Sequence, residues 1–168
     1  MPLWLVGMMG SGKSAVGALV ARELGGGFFD TDDLVAGEAR LSVEDVFRVL
    51  GEERFRDLEE AQIEKLAPDK SAVVATGGGA VLRGGNRSMM RKSGLVVWLR
   101  ADPLVLSTRI GSVGGRPLLA DTQVLDRLSE LAEERTPLYG AAAHLVVDTD
   151  DKRLGEVVEE VVSLWKGR

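Results

Sequence analysis

Five short apolar runs recur along the chain, and each is followed by loop residues and then by a helical pattern. The runs are Leu3–Val6, Phe28–Phe29, Ala72–Ala75, Leu95–Leu99 and His144–Val147. Continuous apolar runs of this length are typical of strands buried on both faces of a parallel sheet. The alternation of strand and helix patterns therefore predicts an α/β protein.

Capping residues and helical periodicity mark several helices between these strands. After the first strand, apolar residues recur at helical spacing until three glycines, Gly25 to Gly27, end the helix. Ser42 with Asp45 three positions later forms a near capping box, and Asp102-Pro103 places proline at a first helical position. A last helix is expected from about Arg153 to Trp165, with an apolar face.

Length and charge limit the possible functions. The 168 residues fit one domain spanning 1–168, and a formal charge of −5 argues against a nucleic-acid partner. No apolar stretch is long enough for a membrane span, and no basic segment of a signal peptide precedes the first strand. The chain has no cysteine, which excludes disulfides. We expect a cytoplasmic monomer without membrane or nucleic-acid partners.

The strongest signal follows the first strand. Residues Gly7 to Ser14 fit the phosphate-binding pattern G-x-x-x-x-G-K-[ST] at every fixed position. Glycines let successive backbone N–H groups point at a phosphate, and the helix that follows adds the positive end of its dipole. Lys13 is expected to hold the β- and γ-phosphates and Ser14 a Mg²⁺ ion. A chance glycine-rich turn is the alternative, and the strand before and the helix after the loop disfavour it.

Three carboxylates crowd the end of the second strand, in Asp30-Thr31-Asp32-Asp33. Ligands of open α/β sheets bind beyond the carboxyl ends of the strands, so these acids should lie near the transferred phosphate. A kinase uses such groups to order the metal's water shell and to accept hydrogen bonds from an acceptor hydroxyl. The alternative is an Asx-rich turn that caps a helix beginning near Leu34.

Two further segments suggest a second binding site. Thr76-Gly77-Gly78-Gly79 follows the third strand, and three glycines there allow close approach of the backbone to a ligand; a merely flexible turn is the alternative. Arg56 adjoins Phe55 on an acidic helix, where it either makes a bidentate bond to a substrate carboxylate or pairs with acids one turn away.

A glycine-rich segment, Ile110 to Leu119, contains Arg116 and ends in Pro-Leu-Leu. Such a segment is suited to be a mobile lid that closes over the nucleotide, excludes water and brings Arg116 to the transferring phosphoryl group. A loose surface loop is the alternative. The only histidine, His144, begins an apolar run without an acidic or serine neighbour, which favours a structural role.

Taken in series, these segments resemble the shikimate kinases. The resemblance rests on Gly7–Ser14, Asp30-Thr31-Asp32, Gly51–Glu59, Thr76–Gly79, Arg116-Pro117-Leu118-Leu119 and Arg135-Thr136-Pro137-Leu138-Tyr139, in that order. It covers the chain from about Leu3 to the final helix. The phosphate loop alone is generic, whereas the other motifs in series are specific to this family.

The resemblance implies a P-loop fold like that of nucleoside monophosphate kinases, a three-layer sandwich with a central five-stranded parallel sheet. It implies a substrate-binding region at about 31–62 and a lid at about 110–123. The implied reaction is Mg²⁺-dependent phosphorylation of the shikimate 3-hydroxyl by ATP, a step towards chorismate and the aromatic amino acids.

Site residues follow from the same resemblance. ATP would be bound by Gly10, Ser11, Gly12, Lys13, Ser14, Ala15, Arg109 and Arg116, and the metal by Ser14 and Asp30. Shikimate would be bound by Asp32, Arg56, Gly77, Gly78, Gly79 and Arg135, with Phe47 and Phe55 as an apolar wall. The catalytic residues would be Lys13, Asp32 and Arg116.

Other functions fit less of the chain. A gluconate kinase would keep the phosphate loop but needs a different acceptor pocket, and Arg56 with Arg135 argues against it. A regulatory nucleotide-binding switch would explain the phosphate loop but not the second set of motifs. The chain departs from the family's pattern in a lid poor in basic residues and in lacking the proline expected near position 154.

Overall fold

The computed structural model describes residues 1–113 and 122–168, with side chains described outside 111–122. Five parallel strands form one sheet in the order β2-β3-β1-β4-β5. They are β1 (Leu3–Val6), β2 (Gly27–Asp30), β3 (Ala72–Ala75), β4 (Leu95–Arg100) and β5 (Leu145–Asp148). The sequence-based prediction of a parallel α/β sheet is confirmed, and the strand ends differ from it by one residue at most.

Eight helices connect or follow the strands in the described part of the chain. They are α1 (Lys13–Leu24), α2 (Thr31–Ala39), α3 (Val43–Asp45), α4 (Gly51–Leu66), α5 (Gly84–Ser93), α6 (Pro103–Val113), α7 (Thr122–Ala142) and α8 (Leu154–Lys166). A π-helical turn, Val46–Leu50, separates α3 from α4, and a 3₁₀ turn, Ala80–Leu82, precedes α5.

The apolar strands are buried because helices cover both faces of the sheet. Alternate residues of β1 point to opposite faces: Leu3 and Leu5 pack with α1 and α8, and Trp4 and Val6 pack with residues from α4, α5, α6 and α7. The result is a three-layer sandwich, as predicted. No helix within the described residues is long and apolar enough to cross a membrane.

A third, smaller core lies outside the sandwich. Val35 of α2, Val46 of the π-helical turn and Phe55 and Leu58 of α4 form it. This cluster lets α2 to α4 pack on one another beside the carboxyl end of β2. It therefore gives the expected substrate-binding region, about 31–62, its own apolar support.

Two helix starts correct or refine the sequence-based expectations. Helix α2 begins at Thr31 rather than near Leu34, because the Asp30 side chain accepts a hydrogen bond from the Asp32 N–H and caps the helix there. Ser42 caps α3 as expected, accepting from the Asp45 N–H at 3.0 Å. The π-helical turn after α3 was not expected.

Candidate active site

A cavity of about 780 Å³ lies at the carboxyl ends of the strands, where the topology predicts it. Most of the residues predicted from sequence line it together, although they come from seven separate segments. They are Gly10, Gly12, Lys13, Ser14, Ala15, Asp30, Asp32, Phe47, Phe55, Arg56, Gly77, Gly78, Gly79, Arg109 and Arg135.

Two predicted residues remain. Ser11 is described but does not line the cavity: it is buried within the phosphate loop, and its hydroxyl has no hydrogen-bond partner in the described part of the chain. Arg116 lies outside the described residues. Of the predicted lid, about 110–123, residues 110–113 end α6 and residues 122–123 begin α7.

The phosphate loop has the backbone conformation that its glycines predict. Gly10 and Gly12 have φ of 78° and 93°, in the left-handed region that favours glycine. Gly12 also precedes the first residue of α1, so the loop leads into the positive end of the helix dipole. A loop of this shape directs backbone N–H groups at an anion.

Lys13 lies buried at the base of the loop. Its ammonium group donates a hydrogen bond to the carbonyl oxygen of Met8 at 2.8 Å, across the turn of the loop. Burial lowers the pKa of Lys13 to about 8, although the nearby carboxylates of Asp32 and Asp30 act to raise it. A buried cation of this kind gains much from an added anion, because its charge is incompletely solvated.

Ser14 and Asp30 form the pair expected to bind a metal. The Ser14 hydroxyl donates to Asp30 Oδ2 at 2.6 Å, and the other carboxylate oxygen of Asp30 caps α2. Asp30 can therefore cap α2 with one carboxylate oxygen and contribute to a metal site with the other. A hydroxyl and a carboxylate beside a phosphate loop are oxygen donors of the type that Mg²⁺ accepts when phosphates and water complete its coordination. Within the described residues, no group of three His, Cys, Asp or Glu side chains forms an all-protein metal site.

Asp32 lies between the phosphate loop and the glycine turn. Burial and the adjacent charge of Asp30 raise the pKa of Asp32, whereas Lys13 and Arg56 act in the opposite direction. A Cβ added to Gly77 would lie 2.5 Å from Asp32 Oδ1, so the carboxylate fits against that backbone only because residue 77 is glycine. Asp32 thus has cations on both sides and faces the cavity.

Arg56 takes part in ion pairs within its helix and also faces the cavity. Its guanidinium donates to Glu59 Oε2 at 2.7 Å and to Glu52 at 3.4 Å, which confirms the pairing interpretation. Its Nε is buried and has no partner among the described residues. The guanidinium packs directly on Gly79, where a Cβ would overlap with it. The Arg56 side chain therefore combines internal ion pairs with a place in the cavity wall.

Phe47 and Phe55 form a stacked pair beside Arg56. Their ring centroids are 4.3 Å apart, with an angle of 24° between the planes. The Arg56 guanidinium carbon lies 5.1 Å from the centroid of Phe55 and 5.9 Å from that of Phe47. The rings give this side of the cavity an apolar wall, and their faces stabilise the cation.

The turn Gly77 to Gly79 is fixed by side chains from distant segments. The Gly77 N–H donates to the Thr31 hydroxyl at 2.8 Å, and the Tyr139 hydroxyl donates to the Gly78 carbonyl at 2.6 Å. Glu59 also lies against Gly77, leaving no space for a Cβ. These contacts argue against the interpretation of a merely flexible turn.

Arg135 and Arg109 both line the cavity but have different neighbours. Arg135 lies beside Gly78, and its buried Nε has no partner within the described residues. Arg109 donates to the hydroxyl and the carbonyl oxygen of Thr149, just after β5, at 2.9 and 2.5 Å. Arg135 therefore lies with Arg56 near the glycine turn, whereas Arg109 is held at the end of β5.

Several residues of this site were not predicted from the sequence. Arg127 and Leu131 line the cavity with the predicted Arg135, and the three recur every fourth position along α7, a spacing that places them on one helix face. That periodicity was the available signal for Arg127. Glu52 and the Tyr139 hydroxyl carried no such signal, because their importance depends on contacts that form only in the fold.

One cavity contains a phosphate loop, the Ser14 and Asp30 pair, and two arginines, Arg56 and Arg135, beside the glycine turn. This combination is that of a P-loop kinase whose acceptor is a small acid. The family model for shikimate kinase matches residues 9–166. The chain therefore belongs to the shikimate kinase family, whose members use ATP as co-substrate.

Relatives and solved structures agree with this assignment. A shikimate kinase of Symbiobacterium thermophilum is 46% identical, over 100% of this chain and 98% of that protein. One of Caldanaerobacter subterraneus is 44% identical, over 98% and 97%. The structure of a shikimate kinase from Acinetobacter baumannii in complex with shikimate has a TM-score of 0.90 at 31% identity, covering 99% of this chain and 93% of that chain.

For gluconate kinases, the alternative considered above, the comparison shows similarity of fold only. A gluconokinase structure from Sinorhizobium meliloti has a TM-score of 0.63 at 24% identity, covering 96% of this chain and 89% of that chain. Such a match shows a shared fold and nothing of the acceptor.

Proposed function

We propose that this chain transfers the γ-phosphoryl group of ATP to the 3-hydroxyl of shikimate, giving shikimate 3-phosphate and ADP. The observation that carries the proposal is the pair of guanidinium groups of Arg56 and Arg135, which line the same cavity beside the neighbouring glycines Gly79 and Gly78. Two guanidinium groups close together are well suited to bind one acceptor carboxylate.

The donor half of the site would bind the nucleotide phosphates. On ATP binding, Lys13 would exchange its bond to the Met8 carbonyl for phosphate oxygens, while Gly10, Ser11, Gly12, Ser14 and Ala15 surround the phosphates through the loop and the start of α1. Arg109, held by Thr149, would contact the adenine side.

Ser14 and Asp30 would hold Mg²⁺, Ser14 directly and Asp30 through water. Bound there, the ion would neutralise charge that develops on the phosphate oxygens. The Ser14 hydroxyl and the Asp30 carboxylate already lie in hydrogen-bond contact, so binding requires little rearrangement of the protein.

The acceptor half would orient shikimate by its two kinds of polar group. Arg56 and Arg135 would bind the carboxylate, and the Gly78 N–H, flanked by Gly77 and Gly79, would contact the ring. Phe47 and Phe55 would pack against the apolar part of the ring. Asp32 would accept hydrogen bonds from the ring hydroxyls, so that the 3-hydroxyl faces the γ-phosphate.

Phosphoryl transfer requires mainly positioning and charge stabilisation from a protein. Asp32 would receive the proton of the 3-hydroxyl as the oxygen attacks phosphorus, and its raised pKa makes it a better proton acceptor than an exposed aspartate. Lys13 and Arg116 would stabilise the negative charge of the phosphoryl group. Arg116 would act from a lid at about 110–123 that closes over ATP.

We also propose the setting in which the enzyme works. It acts as a cytoplasmic monomer, with no nucleic-acid or membrane partner. The product would be consumed on the route to chorismate and the aromatic amino acids.

The test is ADP release, coupled to an optical assay, with four acceptor conditions. Shikimate, gluconate, a nucleoside monophosphate and no acceptor are compared with saturating Mg·ATP. We expect rapid release with shikimate and only background release otherwise. Gluconate as the preferred acceptor, or equal release without any acceptor, would refute the proposal.

A further inference from the structure

Tyr139 places a buried hydroxyl beside two groups that the proposed function assigns to the acceptor, the Arg135 guanidinium and the Gly78 peptide. The side chain lies on α7, is 1% exposed, and its ring stacks on Trp98 with centroids 5.6 Å apart. Burial and this ring contact leave the hydroxyl little freedom to move. The oxygen is therefore held at a fixed point beside the glycine turn.

The hydroxyl is hydrogen-bonded to the glycine turn. It donates to the Gly78 carbonyl oxygen at 2.6 Å, and the Arg135 guanidinium lies beside the same glycine. Arg135 and Tyr139 are four positions apart on α7, so they share one face of that helix. Tyr139 thus joins the helix that carries Arg135 to the backbone of the turn after β3.

The opposite side of the turn is held by a second hydroxyl. Thr31, fully buried at the start of α2, accepts a hydrogen bond from the Gly77 N–H. The hydroxyls of Thr31 and Tyr139 therefore form hydrogen bonds with the Gly77 N–H and the Gly78 carbonyl oxygen, respectively. Within the described residues, no acceptor is bonded to the Gly78 N–H, which leaves that group to a ligand.

We propose that Tyr139 is a positioning residue for the acceptor: its hydroxyl sets the distance between Arg135 and the Gly78 peptide, so that both reach one acceptor molecule. This proposal rests on the proposed function. It assigns Tyr139 no contact with the substrate or with ATP. Loss of the hydroxyl should therefore weaken acceptor binding selectively and leave the nucleotide half unchanged.

The decisive variant is Tyr139→Phe, which keeps the ring and removes only the hydroxyl. We expect the KM for shikimate to rise about five- to tenfold, the effect of one hydrogen bond, with kcat and the KM for ATP within about twofold of wild type. Arg135→Ala provides the reference for complete loss of the cation. Its KM for shikimate should rise further.

Ser93→Ala is the matched control. Ser93 has a half-buried hydroxyl that accepts a hydrogen bond from the Trp4 indole, outside the cavity. This control also loses a tertiary hydrogen bond, but both KM values should stay at wild-type levels. If Tyr139→Phe leaves the KM for shikimate unchanged, or raises both KM values equally, the positioning role is wrong.

A measurement without substrate separates this proposal from the proposed function. The amide of Gly79 shares its peptide with the Gly78 carbonyl, so its NMR resonance in the ligand-free protein should move in Tyr139→Phe and not in Ser93→Ala. An unmoved resonance overturns the positioning role whatever the acceptor is. Absence of ADP release from the wild-type protein with shikimate would instead refute the proposed function.

Discussion

At the scale of single residues, the site holds charged side chains in buried positions. Lys13 and Asp32 are both displaced from their ordinary pKa, and each is displaced chiefly by burial. Burial disfavours the charged form of both groups, so each is made more reactive towards a partner of opposite charge or towards a proton. These shifts lead to two predictions.

Asp32→Asn should reduce kcat by about 10²- to 10⁴-fold, because the amide cannot receive the proton of the acceptor hydroxyl. ATP binding should survive, since the phosphate loop is untouched. Steady-state kinetics and nucleotide titration measure the two effects. The matched control is Asp33→Asn, at an exposed neighbouring carboxylate that does not line the cavity. Near-normal turnover of Asp32→Asn would contradict the assigned role.

ATP affinity should depend on the protonation of Lys13. In the free protein its pKa is about 8, and bound phosphates raise that value. Affinity is therefore full below about pH 8 and should fall by up to about tenfold per pH unit above it. Nucleotide titrations across this range measure the effect, with Lys13→Arg as the non-titrating control. A decline that began only near the ordinary lysine value of 10.5 would contradict the account.

At the scale of secondary-structure elements, turns with special backbone conformations position the acceptor region. Arg40 ends α2 with φ of 55°, the one positive value at a non-glycine residue in the described part of the chain. Gly51, with φ of 82°, separates the π-helical turn from α4. A side chain costs free energy at such angles, and glycine does not.

Arg40→Gly should therefore stabilise the protein by about 1 kcal/mol, less the entropy that a flexible glycine adds to the unfolded chain. Gly51→Ala is the opposite control and should destabilise the protein by about 1–3 kcal/mol, because φ of 82° with ψ of 165° is a conformation almost restricted to glycine. Urea denaturation measures both. A lower unfolding free energy for Arg40→Gly than for wild type would show that the Arg40 side chain makes a compensating contribution.

Elements also show where sequence-based prediction works and where it stops. The apolar runs predicted all five strands because residues buried on both faces of a sheet must be apolar, whatever the details of packing. The phosphate loop was predictable because its chemistry lies within eight consecutive residues, Gly7 to Ser14.

The rest depends on contacts between segments that are distant in sequence. Nothing near position 139 in sequence shows that the Tyr139 hydroxyl meets Gly78, and nothing near position 31 shows that Thr31 accepts from Gly77. The π-helical turn at Val46–Leu50 contains Val46, which packs in one buried cluster with Phe55, a contact that the local sequence does not show. The resemblance to a known family supplied the expected roles of Arg56 and Arg135, which spacing alone left open.

At the scale of the whole molecule, His144 connects the edge strand β5 to β4. The imidazole Nδ1 of His144 accepts a hydrogen bond from the backbone N–H of Val96 at 3.1 Å. The backbone N–H of His144 donates to the Val96 carbonyl oxygen at 2.8 Å. Only an unprotonated Nδ1 can accept that bond. Burial, with the charges of Arg91 and Arg168, lowers the pKa of His144 below its usual 6.5. The structural interpretation of this histidine agrees with these contacts.

Stability should therefore fall as the pH drops below 6.5, because the unfolded chain takes up the proton before the folded chain does. Above that pH the contribution of His144 is constant. Thermal unfolding of wild type and His144→Gln at a series of pH values measures it, since other groups titrate equally in both proteins. Parallel curves for the two proteins below pH 6.5 would contradict the prediction.

The whole molecule combines a donor half and an acceptor half in one cavity, and the central claim is that a phosphoryl group passes between them to one particular hydroxyl. The most direct test is to incubate the protein with Mg·ATP and shikimate and to examine the product by phosphorus and proton NMR. We predict a single new phosphomonoester whose phosphorus couples to the proton on C3 of the ring. Coupling to another ring proton, or the absence of any phosphorylated shikimate, would contradict the account.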